Sequence, residues 1–473
     1  MEIFSSISKN VEFIKKNIQS DDVTNIDFKI GTKDATLFFA KEIVDKNAIG
    51  ELILRPASKI MGETSESEID NMFLFPEKRK IHSLSETLDA IVSGEATLFV
   101  DGLNFSYSFG IRLFQVRAIQ EPPTFTVIKG PREGFVESLP VNISLMRRKI
   151  KSPKLRFENL TVGDYSKTPV SICYIEGVAD EKLVEKIKKR IKDIKIDAVL
   201  DSSYITKSLG EHKKSIFKQI GNTEKPDILA SKILEGRVAI LVDGSPIVLT
   251  IPYLLIEDFQ SPSDYYSSNY SATFSRVLRI LSVLISILLP AFFVSAELFH
   301  LQLIPLSFLL TIINSIKGIP LSPSYEMFFT LLIFEILNEA SVRMPKYVGM
   351  VVSIVGGLVL GETAVTAGII SAPTLMIVAF SGICLYTVPE LEQTFSVIRI
   401  TFLIISGALG AYGLLIGCGF LIIYMVSFEN YSTPLCAPFS PLIKKDLNDT
   451  FYKGFFDGQN TKPLSLKTKK NVK

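Results

Sequence analysis

Two similar segments, SGEATLFVDG (Ser93–Gly102) and EGRVAILVDG (Glu235–Gly244), decide how the first half of the chain folds. Each is a short apolar run that ends in Asp-Gly, a dipeptide typical of tight turns between antiparallel strands. Three pairs of residues match at one constant offset: Gly94 and Gly236, Asp101 and Asp243, and Gly102 and Gly244. A helix-like stretch precedes each copy. We therefore predict two tandem α/β subdomains; the alternative is that two unrelated hairpins are alike by chance.

The segment between these copies, GPREGFVESLPVNISLMRRKI (Gly130–Ile150), is interpreted as a joint. Its proline residues hold the chain extended, and its glycines permit tight turns. Apolar residues then recur at helical spacing up to a basic helix end. We interpret residues 126–154 as a rigid elbow followed by a helix with a mechanical or docking role. Arg147 and Arg148, at the end of this helix, are the candidates for contacts between neighbouring subunits.

Composition separates a charged first half from an apolar second half. The 473 residues have a net charge of +2, a mean hydropathy of +0.31 and 21% charged residues. Charges are dense before Ser275 and sparse between Ile280 and Ser427. The nearly balanced charge gives no indication of a nucleic-acid partner. The N-terminus lacks the apolar core of a signal peptide, so we expect the first half to be cytoplasmic.

The sequence carries no pattern typical of catalysis. Its four cysteines and three histidines lie far apart, without the spacing of a zinc or redox motif. It has no phosphate-binding loop and no spacing typical of a Ser/His/Asp triad. We therefore expect no enzyme activity, no catalytic residue and no bound metal or cofactor.

The second half contains stretches that are long and apolar enough to cross a bilayer, which takes ~20 residues. The long ones are Ile280–Phe299, Tyr325–Ser341, Tyr347–Ile370, Thr374–Val388 and Val397–Phe428, and Leu303–Ile316 is shorter. A lysine-rich tail favours a cytoplasmic C-terminus, and we expect four to six crossings. The predicted division is residues 1–125 for the first subdomain, 126–154 for the joint, 155–260 for the second subdomain, 261–428 for the helical membrane domain and 429–473 for a basic, polar tail.

Glu335, Glu339 and Arg343 are ionisable residues at the end of one of these stretches. Their spacing by four places them on one face of a helix. Charges at membrane depth are costly unless they are paired or face water, and Glu339 and Arg343 are placed to pair along the helix. The three residues form either an ion pathway or gating contact, or a structural ion pair near the membrane interface.

The stretch Tyr347–Ile370 carries two opposed stripes. Small residues, which let helices pack closely in lipid, recur at Gly349, Ser353, Gly357 and Gly361. The opposite side changes from apolar to polar through Val352, Val355, Val359, Glu362 and Thr366. Such a helix suits a ring around a pore in which the valines exclude water. Taken alone, the periodicity favours simple packing inside a monomeric bundle.

Several blocks together resemble the GerA family, the A subunits of bacterial spore germinant receptors. They are the joint itself and, in the family's order over nearly the whole chain, EGRVAILVDGSPIVLTIP, SPSDYY, EILNEASVRMPK and VSIVGGLVLGETAVTAGIIS. Glu362 departs from the family pattern, in which an uncharged residue similar to glutamine is usual.

The resemblance implies a membrane subunit of a nutrient receptor that triggers spore germination. It favours the pore-lining interpretation, because A subunits of this family are thought to oligomerise into nutrient-gated channels, here for monovalent ions. The expected partners are a transporter-like B subunit that binds the nutrient and a C subunit that is a lipoprotein. The expected location is the spore inner membrane, crossed several times, with a cytoplasmic N-terminal region. The alternatives are a non-conducting scaffold that relays the signal and a sporulation paralogue that amplifies ion release.

Overall fold

The structure, a computed structural model, describes residues 1–73, 75–113, 130–344, 357, 361–454 and 462–466. The chain divides into two compact units. The first comprises Met1–Tyr253 together with Asn430–Thr433 and residues 462–466, and the second comprises Leu254–Glu429 and residues 434–454. The first unit is an α/β region, and the second is built mainly from helices.

The first subdomain is an antiparallel sheet with helices on both faces. Its strands are β1 (Val23–Ile30), β2 (Lys33–Ala40), β3 (Lys78–Ile81), β4 (Ala96–Val100) and β5 (Ser106–Phe109), in the order β1-β2-β4-β5-β3. Its helices are α1 (Ile7–Asn17), α2 (Lys46–Ile49), α3 (Arg55–Ala57), α4 (Glu66–Met72) and α5 (Leu84–Val92), with a π-helical turn at Gly50–Leu54. In β4, Leu98 and Phe99 belong to apolar clusters on opposite faces of the sheet. Burial on both faces explains why β4 is a continuous apolar run instead of an alternating one.

The second subdomain repeats this architecture. Its strands are β6 (Leu155–Val162), β7 (Thr168–Ile175), β8 (Gly221–Thr223), β9 (Val238–Val242) and β10 (Val248–Ile251). Its helices are α6 (Leu139–Lys149), α7 (Glu181–Lys192), α8 (Ser202–Leu209) and α9 (Pro226–Leu234). The strand order is β6-β7-β9-β10-β8, which is the order of the first sheet with every strand number raised by five. The tandem arrangement expected from the sequence is therefore present in the strand order.

The two Asp-Gly turns occupy equivalent places, directly after β4 and after β9. Gly102 and Gly244 both have left-handed backbone conformations, with φ of 87° and 85°. Residues with a Cβ rarely adopt these angles, which explains why glycine stands at both positions.

We expect Gly244→Ala to lower the free energy of unfolding by roughly 1–2 kcal/mol, because alanine is strained in the left-handed region. Gly50→Ala is the matched control, because Gly50 has a right-handed helical φ of −58° and its Cβ would meet nothing within 4 Å. Alanine there should be neutral or stabilising by about 0.5–1 kcal/mol. Urea unfolding of a fragment covering residues 1–253 measures both, and equal effects of the two substitutions would contradict this account of the turn.

Helix α6, which the sequence analysis assigned to a joint, is the first helix of the second subdomain. Its residues Leu139, Ile143 and Met146 pack in the apolar core of that subdomain. The helix also repeats the contacts of α1. The side-chain amides of Asn10 and Asn142 each exchange two hydrogen bonds with the backbone of the residue six positions earlier.

The two helices are also tied to their sheets in the same way. The carboxylates of Asp101 and Asp243 accept from the first backbone N–H of α1 and α6, respectively. The interpretation of residues 126–154 as a separate elbow is therefore corrected for the part from Ser138 onward. The apolar spacing predicted the helix correctly, but its apolar residues form the buried face of a repeated helix and not part of a separate mechanical or docking element.

The second unit is built from short and long helices. They are α10 (Pro262–Tyr266), α11 (Asn269–Phe299), α12 (Leu306–Ile316), α13 (Pro323–Arg343), α14 (Ala372–Leu385) and α15 (Glu392–Ser427), with short 3-10 turns at Leu255–Phe259, Leu301–Leu303 and Pro389–Leu391. Among the described residues, two segments are long and apolar enough to cross a membrane, Asn269–Phe299 and Pro389–Ser427. Helix α15 is kinked at Gly410, whose φ is 61°. The expected four to six crossings stay a prediction.

The segment that follows α15 is packed instead of forming a free polar tail at its start. Strands β11 (Glu429–Asn430) and β12 (Thr433–Pro434) form a small hairpin. Within the first unit, the ring of Tyr431 lies 5.0 Å from the ammonium group of Lys186 and 5.1 Å from the guanidinium carbon of Arg190. Its hydroxyl donates to the backbone oxygen of Leu209 at 2.9 Å. These buried contacts could not be predicted from the basic composition of residues 429–473.

Candidate functional site

An arginine buried in α15 joins four helices of the second unit. Arg399, whose side chain is 0% exposed, donates to the carboxylate of Glu335 in α13 at 2.5 Å. It also donates to the hydroxyl of Ser381 in α14 at 2.9 Å. The Ser381 hydroxyl donates in turn to the backbone oxygen of Ser286 in α11 at 2.9 Å. We call Arg399, Glu335, Ser381 and the Ser286 carbonyl the Arg399 network.

Burying the charge of Arg399 has a large cost in free energy, which its partners offset. Moving a guanidinium out of water costs several kcal/mol, and only a well-aligned partner with further hydrogen bonds offsets that cost. Glu335 and Ser381 supply both kinds of contact to Arg399, and the ring of Phe334 lies 6.0 Å from its guanidinium carbon. A buried ion pair of this kind fixes one arrangement of the helices more than it adds stability. The network is therefore suited to hold one conformation.

The structure separates the three charged residues that the sequence analysis grouped. Glu339 and Arg343 form the expected pair along α13 at 2.5 Å, with side chains 64% and 77% exposed. Glu335 instead pairs with Arg399, which is 64 residues away in the chain. Sequence reasoning missed Arg399 as a partner because no local pattern links the two residues. The available signal was a single arginine within a long apolar helix, since such residues are usually paired.

A second buried carboxylate fixes the start of α14. Glu326, in the first turn of α13, is 1% exposed and accepts from both the backbone N–H and the hydroxyl of Ser371, each at 2.7 Å. Ser371 is the N-cap of α14, and its hydroxyl accepts from the N–H of Thr374. The positive ends of α13 and α14 both favour the negative charge of Glu326. Glu326 therefore anchors the chain where it enters α14.

Part of the predicted pore helix is described, and it leads directly to this anchor. Residues 361–366 are helical, and the side chains of Glu362 and Thr366 are exposed. The packing candidate Gly361 is buried, and a Cβ there would lie 3.3 Å from the Leu375 side chain of α14. At Gly357, no atom of the described residues lies within 4 Å of a Cβ position. The other candidates, Val352, Val355, Val359, Gly349 and Ser353, lie outside the described residues.

Arg147 is not available for a contact with another subunit. Its side chain is 0% exposed and forms two hydrogen bonds to the Asp22 carboxylate, at 2.6 and 2.8 Å. It also donates to the hydroxyl of Ser20 and to the backbone oxygens of Ser152 and Leu155. Asp22 and Ser20 precede β1, so this pair joins the two subdomains within one chain. The interpretation of Arg147 as a subunit contact was wrong, because a fully buried side chain offers no surface.

Arg148 keeps a partly exposed side chain. It pairs with Glu133, and 25% of the arginine side chain remains exposed. Burial alone raises the pKa of the Glu133 carboxyl, but the hydrogen bond from Arg148 and the nearby Lys149 charge outweigh it and hold that pKa below its usual value. A contact of Arg148 with a neighbouring subunit stays a prediction.

A third charged cluster lies where the second unit begins. The Asp264 carboxylate of α10 accepts from Arg276 at 3.3 Å and from Arg279 at 2.7 and 2.8 Å. Burial by itself raises the pKa of Asp264, but its bond to Arg279 and the charges of both arginines hold that pKa below its usual value. Asp449 accepts a further bond from Arg276 at 2.9 Å, and Lys453 donates to the Asp264 backbone oxygen at 2.7 Å. Among the described residues, no group of three or more His, Cys, Asp or Glu is arranged to hold a metal ion.

Comparison with known proteins places the chain in one family. The model of the Bacillus/Clostridium GerA spore germination protein family matches residues 11–465. Spore germination protein KA of Bacillus subtilis (strain 168) is 34% identical over 483 aligned residues, which cover 100% of this chain and 88% of that protein. The uncharacterized membrane protein YfkQ of the same organism is 37% identical over 78% of this chain and 72% of its own length.

A solved structure is also similar in sequence to the first unit. It is the crystal structure of the N-terminal domain of the A subunit of the Bacillus megaterium spore germinant receptor GerK3, which is 30% identical, with a TM-score of 0.41. The match covers 53% of this chain and 96% of that one. With a family model that spans nearly the whole sequence, the chain belongs to the GerA family of spore germination proteins.

Proposed function

We propose that this protein is the A subunit of a nutrient receptor in the spore inner membrane, and that several copies surround a path for monovalent ions. The observation that carries the proposal is the inverted polarity of the second unit. Polar side chains such as Ser286, Ser381, Arg399 and Ser406 are buried in it. Large apolar side chains such as Phe420 and Ile423 of α15 are exposed. Exposed apolar surface on this scale is typical of a membrane or protein contact.

The family supplies the rest of the proposed setting. We expect a transporter-like B subunit to bind the nutrient and a C subunit, a lipoprotein, to complete the receptor. The α/β unit would then lie in the cytoplasm, and the chain would cross the membrane several times. A receptor subunit of this kind transmits the binding of the nutrient by its partner and performs no chemistry on it.

The Arg399 network and the Glu326 anchor suggest how the closed state is held. The helical part of the predicted pore stretch ends at Thr366, and a turn over residues 367–370 connects it to Ser371, which is bonded to Glu326. Ten residues farther on, about three helical turns, α14 is held by the bond between Ser381 and Arg399. A movement of α14 would therefore displace the end of the pore helix. In this mechanism the two polar contacts keep α14 in the closed position until the partner subunits act on it.

We expect Val359→Ala to raise ion flux from liposomes in the absence of nutrient, because removing two methyl groups per subunit widens a ring of valines and eases its wetting. Gly357→Leu should instead weaken assembly. Among the described residues, no atom lies within 4 Å of a Cβ at Gly357, so a leucine there collides with none of them.

The matched control is Gly361→Leu, whose side chain would collide with Leu375 of the same chain. It should destabilise the folded subunit, whereas Gly357→Leu should change the oligomer mass and leave the melting temperature of the monomer unchanged. Native mass spectrometry and flux measurements on the same preparations separate these outcomes. Equal flux from wild type and Val359→Ala, or a monomeric wild type without flux, would favour the non-conducting scaffold.

A further inference from the structure

The second unit has an apolar cavity of about 430 Å³, open to the surface at Leu284 and Val426, that the proposed function does not use. It lies among the 3-10 turn Leu255–Phe259, the beginning of the apolar part of α11, the first and last turns of α15 and the segment after β12. All sixteen lining residues are apolar except Ser440. The rings of Phe439 and Phe451, which form part of the wall, lie 4.7 Å apart. The volume is within the range of ligand sites in proteins, ~300–1,000 Å³.

Two polar groups at this cavity are already bonded within the protein. The thiol of Cys436 donates to the backbone oxygen of Met425 at 3.4 Å. The backbone oxygen of Phe259 accepts from Arg279 at 2.9 Å. Ordered water needs two to four polar partners, and an apolar cavity without them stays dry or takes an apolar ligand. The wall therefore fits a ligand that forms few hydrogen bonds.

The position of the cavity indicates which apolar ligand can reach it. On α11 it begins at Ile280, the residue after Arg279, and continues to Ile287. On α15 it is lined by Phe395, close to the beginning of the helix at Glu392, and by Leu421, Met425 and Val426, close to its end at Ser427. Both walls thus begin where charged residues give way to an apolar helix. At this level of a bilayer the lipid headgroups give way to acyl chains.

The charged cluster beside the cavity indicates whether the site would select the headgroup or the alkyl chain of a lipid. Asp264, Asp449, Arg276, Arg279 and Lys453 carry both signs and bond mainly to one another and to backbone oxygens. Asp264 is buried, and its bonds to Arg279 occupy both carboxylate oxygens. A headgroup therefore meets a cluster that is already paired, and the apolar wall supplies the selectivity.

We propose that this cavity binds one alkyl chain of a membrane lipid, with the headgroup at the level of Arg279. The proposal rests on the membrane location given above under the proposed function. A bound chain fills the space between α11, α15 and the segment after β12, of which α11 is distant from the other two along the chain. The lipid chain is therefore part of the packing of the second unit, and its length and unsaturation affect how firmly α11 and α15 are held.

The test uses the absence of tryptophan from the natural sequence. The full-length variant Phe439→Trp places one fluorescent reporter in the cavity wall, and Phe420→Trp places one on the exposed face of α15 as the control. Both are reconstituted in vesicles of phosphatidylcholine that carries bromine on its acyl chains. We expect the Phe439→Trp reporter to lose most of its fluorescence. Adding Val426→Phe, which fills the cavity, should restore that fluorescence without changing the quenching of the Phe420→Trp reporter.

The control reporter distinguishes a failure of the lipid site from a failure of the proposed membrane location. Quenching of Phe420→Trp alone would leave the membrane location standing and overturn the lipid site. Quenching of neither reporter in folded protein would overturn both. If Val426→Phe fails to fold, Val283→Phe fills the same cavity from α11. A Phe439→Trp reporter that is protected in vesicles and becomes quenched only when the oligomer is dispersed would assign the cavity to a second copy of the chain, and would overturn the lipid site.

Discussion

Replacing Arg147 with methionine is expected to lower the free energy of unfolding of the α/β unit by about 3–5 kcal/mol. The substitution leaves the Asp22 carboxylate, 1% exposed, without the partner that balances its charge. It also removes the bonds to Ser20 and to the backbone oxygen of Leu155, which tie the loop before β1 to the start of β6. Urea unfolding of a fragment covering residues 1–253 measures the loss, and we expect the two subdomains to unfold separately in the variant.

Two further variants show whether the effect comes from the buried charge. Arg148→Met changes the neighbouring side chain, which is partly exposed, and should cost about 0–1 kcal/mol. Combining Arg147→Met with Asp22→Leu removes both charges and should recover a large part of the loss, because a buried pair replaced by apolar residues is often nearly neutral. If the double variant is as unstable as Arg147→Met, or Arg148→Met is equally damaging, the loss does not come from an unpaired Asp22.

The second large effect is expected for Arg399→Met, which removes the central side chain of the Arg399 network. Glu335 is 21% exposed, so part of its charge is solvated and we expect a loss nearer the lower end of the ~3–5 kcal/mol range for a broken buried pair. The loss should appear as freer movement of α14. Cys384, 6% exposed and one turn after Ser381, reports on that movement. We expect its reaction with a small maleimide, followed by mass spectrometry of the Cys384 peptide, to become markedly faster.

Arg343→Met is the matched control for Arg399→Met. It breaks the exposed pair with Glu339, and exposed pairs contribute about 0–1 kcal/mol. The Cys384 reaction should then proceed at the wild-type rate. If both variants expose Cys384 equally, α14 is loosened by a general loss of charge in α13 and α15. If neither does, the Arg399 network does not hold α14. In the proposed receptor, Arg399→Met should also raise ion flux without nutrient.

The repeat could be predicted from the sequence where a turn requires a particular type of residue. The Asp-Gly turns after β4 and β9 were recognisable because their glycines must adopt a left-handed conformation. The repeat of α1 in α6 was missed. What the two helices share is an asparagine and the spacing of apolar residues, and many different side chains satisfy such a spacing. The segment Gly130–Ile150 was therefore assigned to a joint on its prolines and glycines.

The ion pairs also differ in how far they could be predicted from the sequence, because some partners are close in the chain and others are distant. Glu339 and Arg343 lie one helical turn apart, so their contact follows from helix geometry. The partners of Glu335 and Arg147 lie 64 and 125 residues away, respectively. Such contacts depend on how whole elements pack, which hydrophobic periodicity does not determine. Arg147 was assigned to a subunit contact from its place at the basic end of the helix, and it is buried here because Asp22 accompanies it.

The contact between the two subdomains also determines how many subdomains can be joined in a row. It is a head-to-tail contact, and contacts of this type continue indefinitely unless the last member differs from the others. In the second subdomain the place of Asp22, directly before the first strand, is taken by Lys154, which is exposed. A third subdomain presenting an arginine at that place would meet a like charge instead of a carboxylate. A third subdomain could therefore not join the second through the same arginine–carboxylate pair.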